Sequence, residues 1–328
     1  MAEVSVIGDG GWGTALALLL HNKGIDTLFW SVSPEYAEFL GSQRENIKFL
    51  KGVKLPGDLR ITSDDEEIKR TKFAFFVIPC KYLRSVAERF RGARFDIIVS
   101  ATKGIEIGSL KRPSEVLDEY FPDSDICSLS GPSISNEVAK RLPTAVVVAG
   151  KTGASEKIRD LLMTDRFRVY TSSDITGVET GGALKNIIAI AAGIADGLDL
   201  GTNTKAAILT RGLAEITRLG VRMGADKETF SGLSGLGDLT TTCISPKSRN
   251  RWFGEQIGRG KSINEVMSET EMVVEGLSTA KSAYHLSRKF EVEMPIIQKI
   301  YEIIYEGKDP AVAVEELMKR DPKEEFWA

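Results

Sequence analysis

The chain has 328 residues, enough for two hydrophobic cores, so we expect two domains. Its composition is globular, with 42% hydrophobic residues, 27% charged residues and a formal net charge of −3. Without a block of Lys or Arg, this mildly acidic chain lacks the positive surface that nucleic acid binding requires, although local cations can still bind small anions. No uncharged apolar run reaches the roughly 18 residues that cross a bilayer, so no integral membrane segment is expected.

Cysteine and histidine usage bears on metal binding and on the cellular compartment. The chain has three widely spaced cysteines and two histidines. This set argues against a zinc site and against a disulfide framework. It indicates a reducing compartment, and we expect the cytoplasm.

The first predicted element is a strand that leads directly into a glycine-rich turn and a helix. Val4–Ile7 is a short apolar run, and an Ala/Leu-rich helical segment follows Gly8, Gly10 and Gly13. In a dinucleotide-binding unit, such glycines make the tight turn, admit a pyrophosphate and let the helix pack on the strand, while the helix N-terminus faces the phosphates. The alternative is an ordinary βα turn, but the flanking strand and helix favour dinucleotide binding.

The second predicted strand, Ile25–Trp30, ends where a dinucleotide-binding fold selects its cofactor. An acidic residue there would accept hydrogen bonds from the ribose 2′-hydroxyl and repel a 2′-phosphate. The segment Trp30–Ser33 contains no such residue. Arg44 and Lys48 follow downstream; either could approach a 2′-phosphate, and a solvated surface is the alternative for both.

Further apolar runs predict a sheet of mainly parallel strands covered on both faces. From about Val178 the pattern becomes helical to the end of the chain. We therefore predict an α/β fold, with a Rossmann-type doubly wound, mostly parallel sheet in a dinucleotide-binding domain (residues 1–180) and an all-α substrate domain (residues 181–328). The remaining predicted strands are Phe73–Pro79, Asp96–Ala101, Ile126–Ser130, Ala145–Ala149 and Arg168–Tyr170, with a helix near Ser155–Met163.

Two loops after predicted strands carry polar residues. Lys103 places an ammonium at the carboxyl end of a strand, where open α/β sheets bind ligands, although a solvated lysine is equally consistent with the pattern. After the next strand, Gly131 is followed by Ser133 and Ser135, whose hydroxyls can face a ligand. Either serine can also cap the helix that contains Glu137, and the two roles are compatible.

The predicted helix Gly182–Leu198 is apolar on nearly all sides and should be buried. It contains Lys185 and Asn186. A lysine is almost never fully buried without a partner, and an unpaired buried lysine has a lowered pKa that suits acid–base chemistry. The alternative is a lysine whose stem reaches solvent.

The rest of the helical half contains two further polar motifs. Asp238 follows a glycine-dense segment and can act as a helix N-cap. Ser248 as an N-cap would place Arg249 and Asn250 in a first helical turn, where amides and a guanidinium can bind a phosphate; an exposed helix start is the alternative. The other predicted elements are helices at Asn203–Leu219 and Ile263–Met267, loops at Gly254–Gly260 and Val273–Gly276, and a packing stripe of Tyr284, Phe290, Ile296, Ile300, Ile303 and Ile304.

Seven motifs, in this order and spacing along about residues 4–310, resemble those of the bacterial-type NAD(P)-dependent glycerol-3-phosphate dehydrogenases. The resemblance implies interconversion of sn-glycerol 3-phosphate and dihydroxyacetone phosphate, with hydride transfer between NAD(P)H and substrate C2. It also implies a supply of glycerol 3-phosphate for phospholipid synthesis. The motifs are Gly8–Ala15, Ala101–Gly104, Ser130–Ser133, Gly182–Asn186, Gly235–Asp238, Ser248–Gly254 and Val273–Gly276.

The resemblance also implies roles for individual residues. Lys185 would donate and accept the proton at the C2 oxygen, Lys103 would be a second cation near that oxygen, and Asn186 and Asp238 would orient the substrate and Lys185. The implied substrate-binding residues are Lys103, Gly131, Ser133, Lys185, Asp238, Ser248, Arg249 and Asn250. The implied cofactor-binding residues are Gly8, Gly10, Gly11, Trp12, Gly13, Lys103, Ser135, Arg249, Val273 and Glu275.

One position departs from the family pattern. Val32 occupies a place where many relatives carry a basic residue, so we expect both NAD and NADP to be accepted. The alternatives are a β-hydroxyacid or 6-phosphogluconate type dehydrogenase, whose lysine and asparagine are three residues apart rather than adjacent, and a non-catalytic dinucleotide sensor. A sensor would leave Lys185 and Arg249 without a purpose. The expected partner is a small phosphate-bearing substrate. The sequence does not decide whether the chain forms a homodimer.

Overall fold

An eight-stranded sheet forms the centre of the first unit of the chain, in a computed structural model that describes residues 2–325. The strand order is β3-β2-β1-β4-β5-β6-β7-β8, and all neighbours are parallel except β6 and β7. This confirms the predicted doubly wound, mostly parallel sheet. The strands are β1 (Val4–Ile7), β2 (Thr27–Trp30), β3 (Arg60–Thr62), β4 (Phe73–Phe76), β5 (Ile97–Ser100), β6 (Asp125–Ser130), β7 (Thr144–Ala149) and β8 (Phe167–Ser172).

Successive residues of the central strands enter two separate hydrophobic cores. Val6 and Phe75 belong to one core, whereas their chain neighbours Ile7 and Phe76 belong to the other. Side chains alternate between the two faces of a strand, so the sheet is buried on both sides. The helices of this unit are α1 (Gly11–Asn22), α2 (Pro34–Gln43), α3 (Asp65–Ile68), α4 (Cys80–Arg89), α5 (Pro113–Asp118), α6 (Ser135–Ala139) and α7 (Thr152–Leu162).

The helical part of the chain has one core, centred on α8 (Ile175–Gly197). Among the described residues, α8 alone is long and apolar enough to cross a membrane, yet its most apolar stretch is fully buried, as in the core helix of a globular protein. The other helices are α9 (Gly201–Arg222), α10 (Asp238–Ile244), α11 (Arg249–Gly258), α12 (Ile263–Ser268), α13 (Glu275–Lys289), α14 (Pro295–Tyr305) and α15 (Pro310–Met318). A 3-10 turn (Lys227–Ser231) and a π-helical turn (Leu233–Gly237) precede α10.

The chain forms two compact units, and the main division between them lies between Val178 and Glu179. The first contains the described residues up to Lys103 and the segment Arg112–Val178. The second contains Gly104–Lys111 and the described residues from Glu179 onward. The predicted boundary between residues 180 and 181 lies two residues away, and the sequence pattern did not assign Gly104–Lys111 to the helical unit.

The predicted loop at Gly254–Gly260 is wrong, because Gly254 and Gly258 lie inside α11. A Cβ on Gly254 would lie 2.1 Å from the carbonyl oxygen of Ile190 in α8, and one on Gly258 would lie 2.5 Å from that of Ile194. These glycines therefore permit close helix packing and do not form a turn.

Candidate active site

The three glycines after β1 occupy three different environments. Gly8 has a φ of +121°, which favours glycine, and a Cβ on Gly13 would lie 1.9 Å from the carbonyl oxygen of Gly8. No other described atom lies within 4 Å of the position that a Cβ on Gly10 would take, apart from its chain neighbours. The turn is thus tight at its first glycine, closely packed at its last and open at its middle one.

The start of α1 fits an anionic group. Gly10 is the N-cap of α1, and no side chain in the described part of the chain caps this helix there. Its first amides therefore face outward with the positive end of the helix dipole, which is the arrangement that binds pyrophosphate. Gly11 lies beside Ser135, and the buried indole Nε1 of Trp12 has no hydrogen-bond partner within residues 2–325.

Asn46 braces this turn, a role that sequence analysis missed. Its side chain is fully buried and donates to the carbonyl oxygen of Asp9 (2.7 Å) and to Oγ1 of Thr14 (2.7 Å). Its Oδ1 accepts from the hydroxyl of Tyr36 (2.7 Å) and the amide of Phe49 (3.1 Å). A single polar residue in a charged segment has no periodic signal, so only the tertiary structure identifies it.

Two of the predicted polar residues of the first unit meet at one carbonyl. Nζ of Lys103 donates to the oxygen of Gly131 (3.2 Å), and the hydroxyl of Ser133 donates to the same oxygen (3.0 Å). The prediction that Ser133 or Ser135 caps the next helix is wrong, because Ile134 is the N-cap of α6 and Ser135 is its first residue. The Ser133 hydroxyl instead bonds to Gly131, so it and the Lys103 ammonium share one acceptor oxygen.

In the second unit, Lys185 is buried in a hydrogen-bonded cluster. Its Nζ lies 2.7 Å from Oδ1 of Asp238 and 2.6 Å from Oγ1 of Thr242. Lys185 is 6% exposed and Asp238 is 2% exposed, so the ion pair is almost fully removed from water. Lys185 is thus buried as predicted, and the carboxylate that stabilises its charge comes from a residue 53 positions away.

Thr242 is a further residue that sequence analysis missed. It lies one helical turn after Asp238 in α10, and its hydroxyl donates to the carbonyl oxygen of Asp238 (2.6 Å). The four-residue spacing from Asp238 is a signal that could have found it, because residues at i and i+4 share a helix face. Gly237 is the N-cap of α10, so the prediction of Asp238 as an N-cap is wrong by one position.

Gly181 in α8 lies against the π-helical turn that precedes α10, and Gly235 packs that turn against the preceding 3-10 turn. A Cβ on Gly181 would lie 2.8 Å from the carbonyl oxygen of Ser234, and one on Gly235 would lie 2.0 Å from that of Phe230. Both contacts involve the π-helical turn, a rare conformation that often occurs at functional sites. The turn therefore sets where Asp238 stands relative to Lys185.

The start of α11 has the predicted cap. Oγ of Ser248 accepts the amide of Arg251, so Arg249 lies in the first turn, as expected. The Asn250 side chain donates to Oδ1 of Asn186 (2.9 Å) and accepts the amide of Gly276 (2.9 Å). The residue next to Lys185 is thereby joined to the starts of α11 and α13.

Arg249 and Glu275 interact electrostatically at the starts of these two helices. Arg249 is exposed to solvent; nearby protein atoms still lower the pKa of its guanidinium by desolvation, while the negative charge of Glu275 acts in the opposite direction. Glu275 is the first residue of α13, and Val273 lies two residues before it. An exposed guanidinium at a helix start is accessible to a further anion, which it can bind through two parallel hydrogen bonds.

The cysteines of the chain are buried and free. Burial raises the pKa of Cys127 and of Cys243 to about 12, so their thiols are protonated and unreactive at neutral pH. Within residues 2–325, no three His, Cys, Asp or Glu side chains group closely enough to hold a metal ion.

Comparisons with known proteins identify the family. The N-terminal profile of NAD-dependent glycerol-3-phosphate dehydrogenase matches residues 3–155, and the C-terminal profile matches residues 174–315. A glycerol-3-phosphate dehydrogenase of Chlorobium phaeobacteroides, named for NAD(P)+, is 48% identical over 99% of this chain and 100% of its own length. The corresponding protein of a Thermoanaerobacter species is 47% identical, with 99% of each chain covered.

A solved structure gives the same result. The crystal structure of glycerol-3-phosphate dehydrogenase from Coxiella burnetii superposes with a TM-score of 0.93 and 36% identity, over 97% of this chain and 99% of that one. Both halves of the chain therefore match one family, which the β-hydroxyacid alternative does not explain. The chain belongs to the NAD-dependent glycerol-3-phosphate dehydrogenase family.

Proposed function

We propose that the chain interconverts dihydroxyacetone phosphate and sn-glycerol 3-phosphate with NADH or NADPH. The observation that carries this proposal is the buried Lys185 ammonium, which hydrogen bonds to both Asp238 and Thr242. Such a group stabilises negative charge on a carbonyl oxygen and then delivers a proton to it. The nicotinamide, when bound, supplies the hydride for C2.

Lys185 is the proposed acid and base at the C2 oxygen. Asp238 offsets the cost of burying its charge and fixes the direction of its Nζ, and Thr242 restricts it further. Asn186 is a positioning residue in this proposal, because its side chain contacts Asn250 at the start of α11.

The substrate phosphate is proposed to bind at the start of α11. Arg249 supplies an exposed guanidinium that a ligand can reach, and Ser248 is the N-cap of the helix whose first amides favour an anion. Asn250 contributes chiefly by joining this helix start to Asn186 and Gly276, because both polar ends of its side chain have protein partners. In the first unit, the proposed substrate residues are Lys103, Gly131 and Ser133.

The proposed cofactor residues start with the glycine turn and the beginning of α1. The turn is open at Gly10, and the helix has no side-chain cap in the described chain, which fits a pyrophosphate. The full set is Gly8, Gly10, Gly11, Trp12, Gly13, Lys103, Ser135, Arg249, Val273 and Glu275.

The test is loss of NADH or NADPH absorbance on adding dihydroxyacetone phosphate. Lys185→Ala should lower kcat by ~10²–10⁴, the range for a positioned acid, while NADH binding is kept. Lys289→Ala, an exposed lysine at the end of α13, is the control and should leave kcat unchanged. Wild-type kcat in Lys185→Ala would refute the role, and no oxidation by the wild-type chain would refute the function.

Three finer proposals concern the metabolic role, the cellular location and the oligomeric state. The product supplies glycerol 3-phosphate for phospholipid synthesis, which growth of a glycerol-3-phosphate auxotroph carrying this chain would test. A cytoplasmic location is supported by the three free cysteines. A homodimer, to be tested by analytical ultracentrifugation, is supported by apolar side chains exposed on α15, such as Met318.

A further inference from the structure

Two serines between β2 and α2 each bind a carboxylate. Ser31 is fully buried, and its hydroxyl donates to the carboxylate of Asp9 in the glycine turn. Ser33 is the N-cap of α2, and its hydroxyl donates to Oε2 of Glu35 (2.6 Å) in the first turn of that helix. The segment Trp30–Ser33 contains no acidic residue, yet its two serines donate hydrogen bonds to the carboxylates of Asp9 and Glu35.

The nearby cations offset these charges only in part. Arg44 donates its guanidinium to the carbonyl oxygens of Pro56 (3.0 Å) and Leu59 (2.8 Å), so its side chain is bound within the protein. Lys48 lies over the ring of Phe49, and its charge is the smallest contribution to the pKa of Asp9. Val32 between the two serines is 53% exposed and offers no hydrogen-bond donor in its side chain.

In a sheet of this order, the adenosine ribose of a dinucleotide binds at the carboxyl ends of the first two strands. Asp9 follows β1, and Ser31 and Glu35 follow β2. We propose that Asp9 and Glu35 make this chain prefer NAD(H) over NADP(H), which rests on the proposed function. A ribose 2′-hydroxyl can donate to a carboxylate, whereas both carboxylates repel a 2′-phosphate.

The two carboxylates act with different strength. Asp9 is half-buried, and burial raises the pKa of its carboxyl against the hydrogen bond from Ser31. The hydrogen bond from Ser33 lowers the pKa of Glu35, so this exposed carboxylate is ionised at neutral pH. Glu35, which is exposed, should therefore contribute the part of the preference that added salt weakens.

The test measures dinucleotide binding to the full chain by calorimetry, without dihydroxyacetone phosphate. The wild-type chain should bind NADH at least about tenfold more tightly than NADPH. Asp9→Asn and Glu35→Gln each remove one charge and keep the side-chain shape, and each should raise NADPH affinity about three- to tenfold. The control Glu38→Gln, on an exposed position of α2, should leave the ratio of the two affinities unchanged.

The outcomes separate this inference from the proposed function. A ratio that moves toward NADPH in both variants supports the inference. An unchanged ratio, or equal changes in both affinities, overturns it even when dihydroxyacetone phosphate is reduced normally. If Asp9→Asn fails to fold, as judged by its thermal transition, Glu35→Gln alone decides, because its side chain is exposed. A wild-type chain that binds dinucleotide selectively but reduces no substrate would overturn only the proposed reaction.

Discussion

The ion pair between Lys185 and Asp238 gives the most quantitative test of the candidate site. At 2.7 Å between Nζ and Oδ1, the Coulomb attraction is about 6 kcal/mol for an effective dielectric constant of ~20. Desolvation of both ions offsets much of this gain, so the net contribution of the intact pair is small. Asp238→Asn instead leaves a buried ammonium without its counter-charge, which should cost about 3–5 kcal/mol in the free energy of unfolding.

A double-mutant cycle isolates this interaction. Asp238→Asn and Lys185→Met should each destabilise the second unit, and the double variant should lose at least about 2 kcal/mol less than the sum of the two. Because the chain has two compact units, calorimetry should be fitted with two transitions and the coupling taken from that of the second unit.

An exposed ion pair of similar length is the matched control for this cycle. Lys261 and Glu269 lie 2.8 Å apart with side chains 39% and 44% exposed, and solvent screening should limit their coupling to below about 1 kcal/mol. The same cycle is run with Lys261→Met and Glu269→Gln. A coupling at Lys185 and Asp238 no larger than at this exposed pair would refute the reasoning.

Three further predictions follow from single residues. Arg249→Ala should raise KM for dihydroxyacetone phosphate about tenfold or more, because a charged hydrogen bond to phosphate is lost; an unchanged KM in steady-state kinetics would contradict the assignment. Glu215 accepts two backbone amides at the start of α14, and burial raises its pKa to about 7. Its folded form therefore keeps a proton that the unfolded chain releases near pH 4.5. The stability of the wild type relative to Glu215→Gln should fall by about 3 kcal/mol as the pH rises from 4.5 to 7, and an unchanged difference in calorimetry would contradict this. Gly13→Ala, whose Cβ would meet the oxygen of Gly8, should destabilise the first unit by at least about 1–3 kcal/mol, whereas Gly57→Ala at an open position should not.

Much of the fold could be predicted from the sequence, because its signals are local. The apolar run Val4–Ile7 became β1 with the same bounds, and the glycines that follow it have the tight, open and packed environments expected of them. The all-round apolar pattern of Gly182–Leu198 correctly indicated a buried helix, although α8 begins earlier, at Ile175. Strand β3 was missed because its three residues are polar or only half-buried at the edge of the sheet.

The candidate site was less predictable because its contacts join distant parts of the chain. Burial of Lys185 followed from the helix pattern, but Asp238 as its partner did not, since no local pattern connects positions 53 residues apart. Asn186 and Asn250 were expected to face substrate, and their hydrogen bond to each other became visible only in the structure. The closely spaced glycines Gly254 and Gly258 were also misinterpreted, because a glycine occurs equally well in a turn and at a close packing contact.

The close packing of α8 and α11 links those misread glycines to the site itself. A Cβ on Gly193 would lie 2.0 Å from the carbonyl oxygen of Arg251, and one on Gly254 would lie 2.1 Å from that of Ile190. Helices this close allow Asn250, at the start of α11, to reach Asn186 on α8. Asn186 follows Lys185 directly, and Arg249 precedes Asn250, so the helix spacing sets the separation between the proposed acid and base and the proposed phosphate-binding residue. Because a misplacement of about 1 Å can cost about a hundredfold in rate, these glycines serve the geometry of the site as much as the stability of the core.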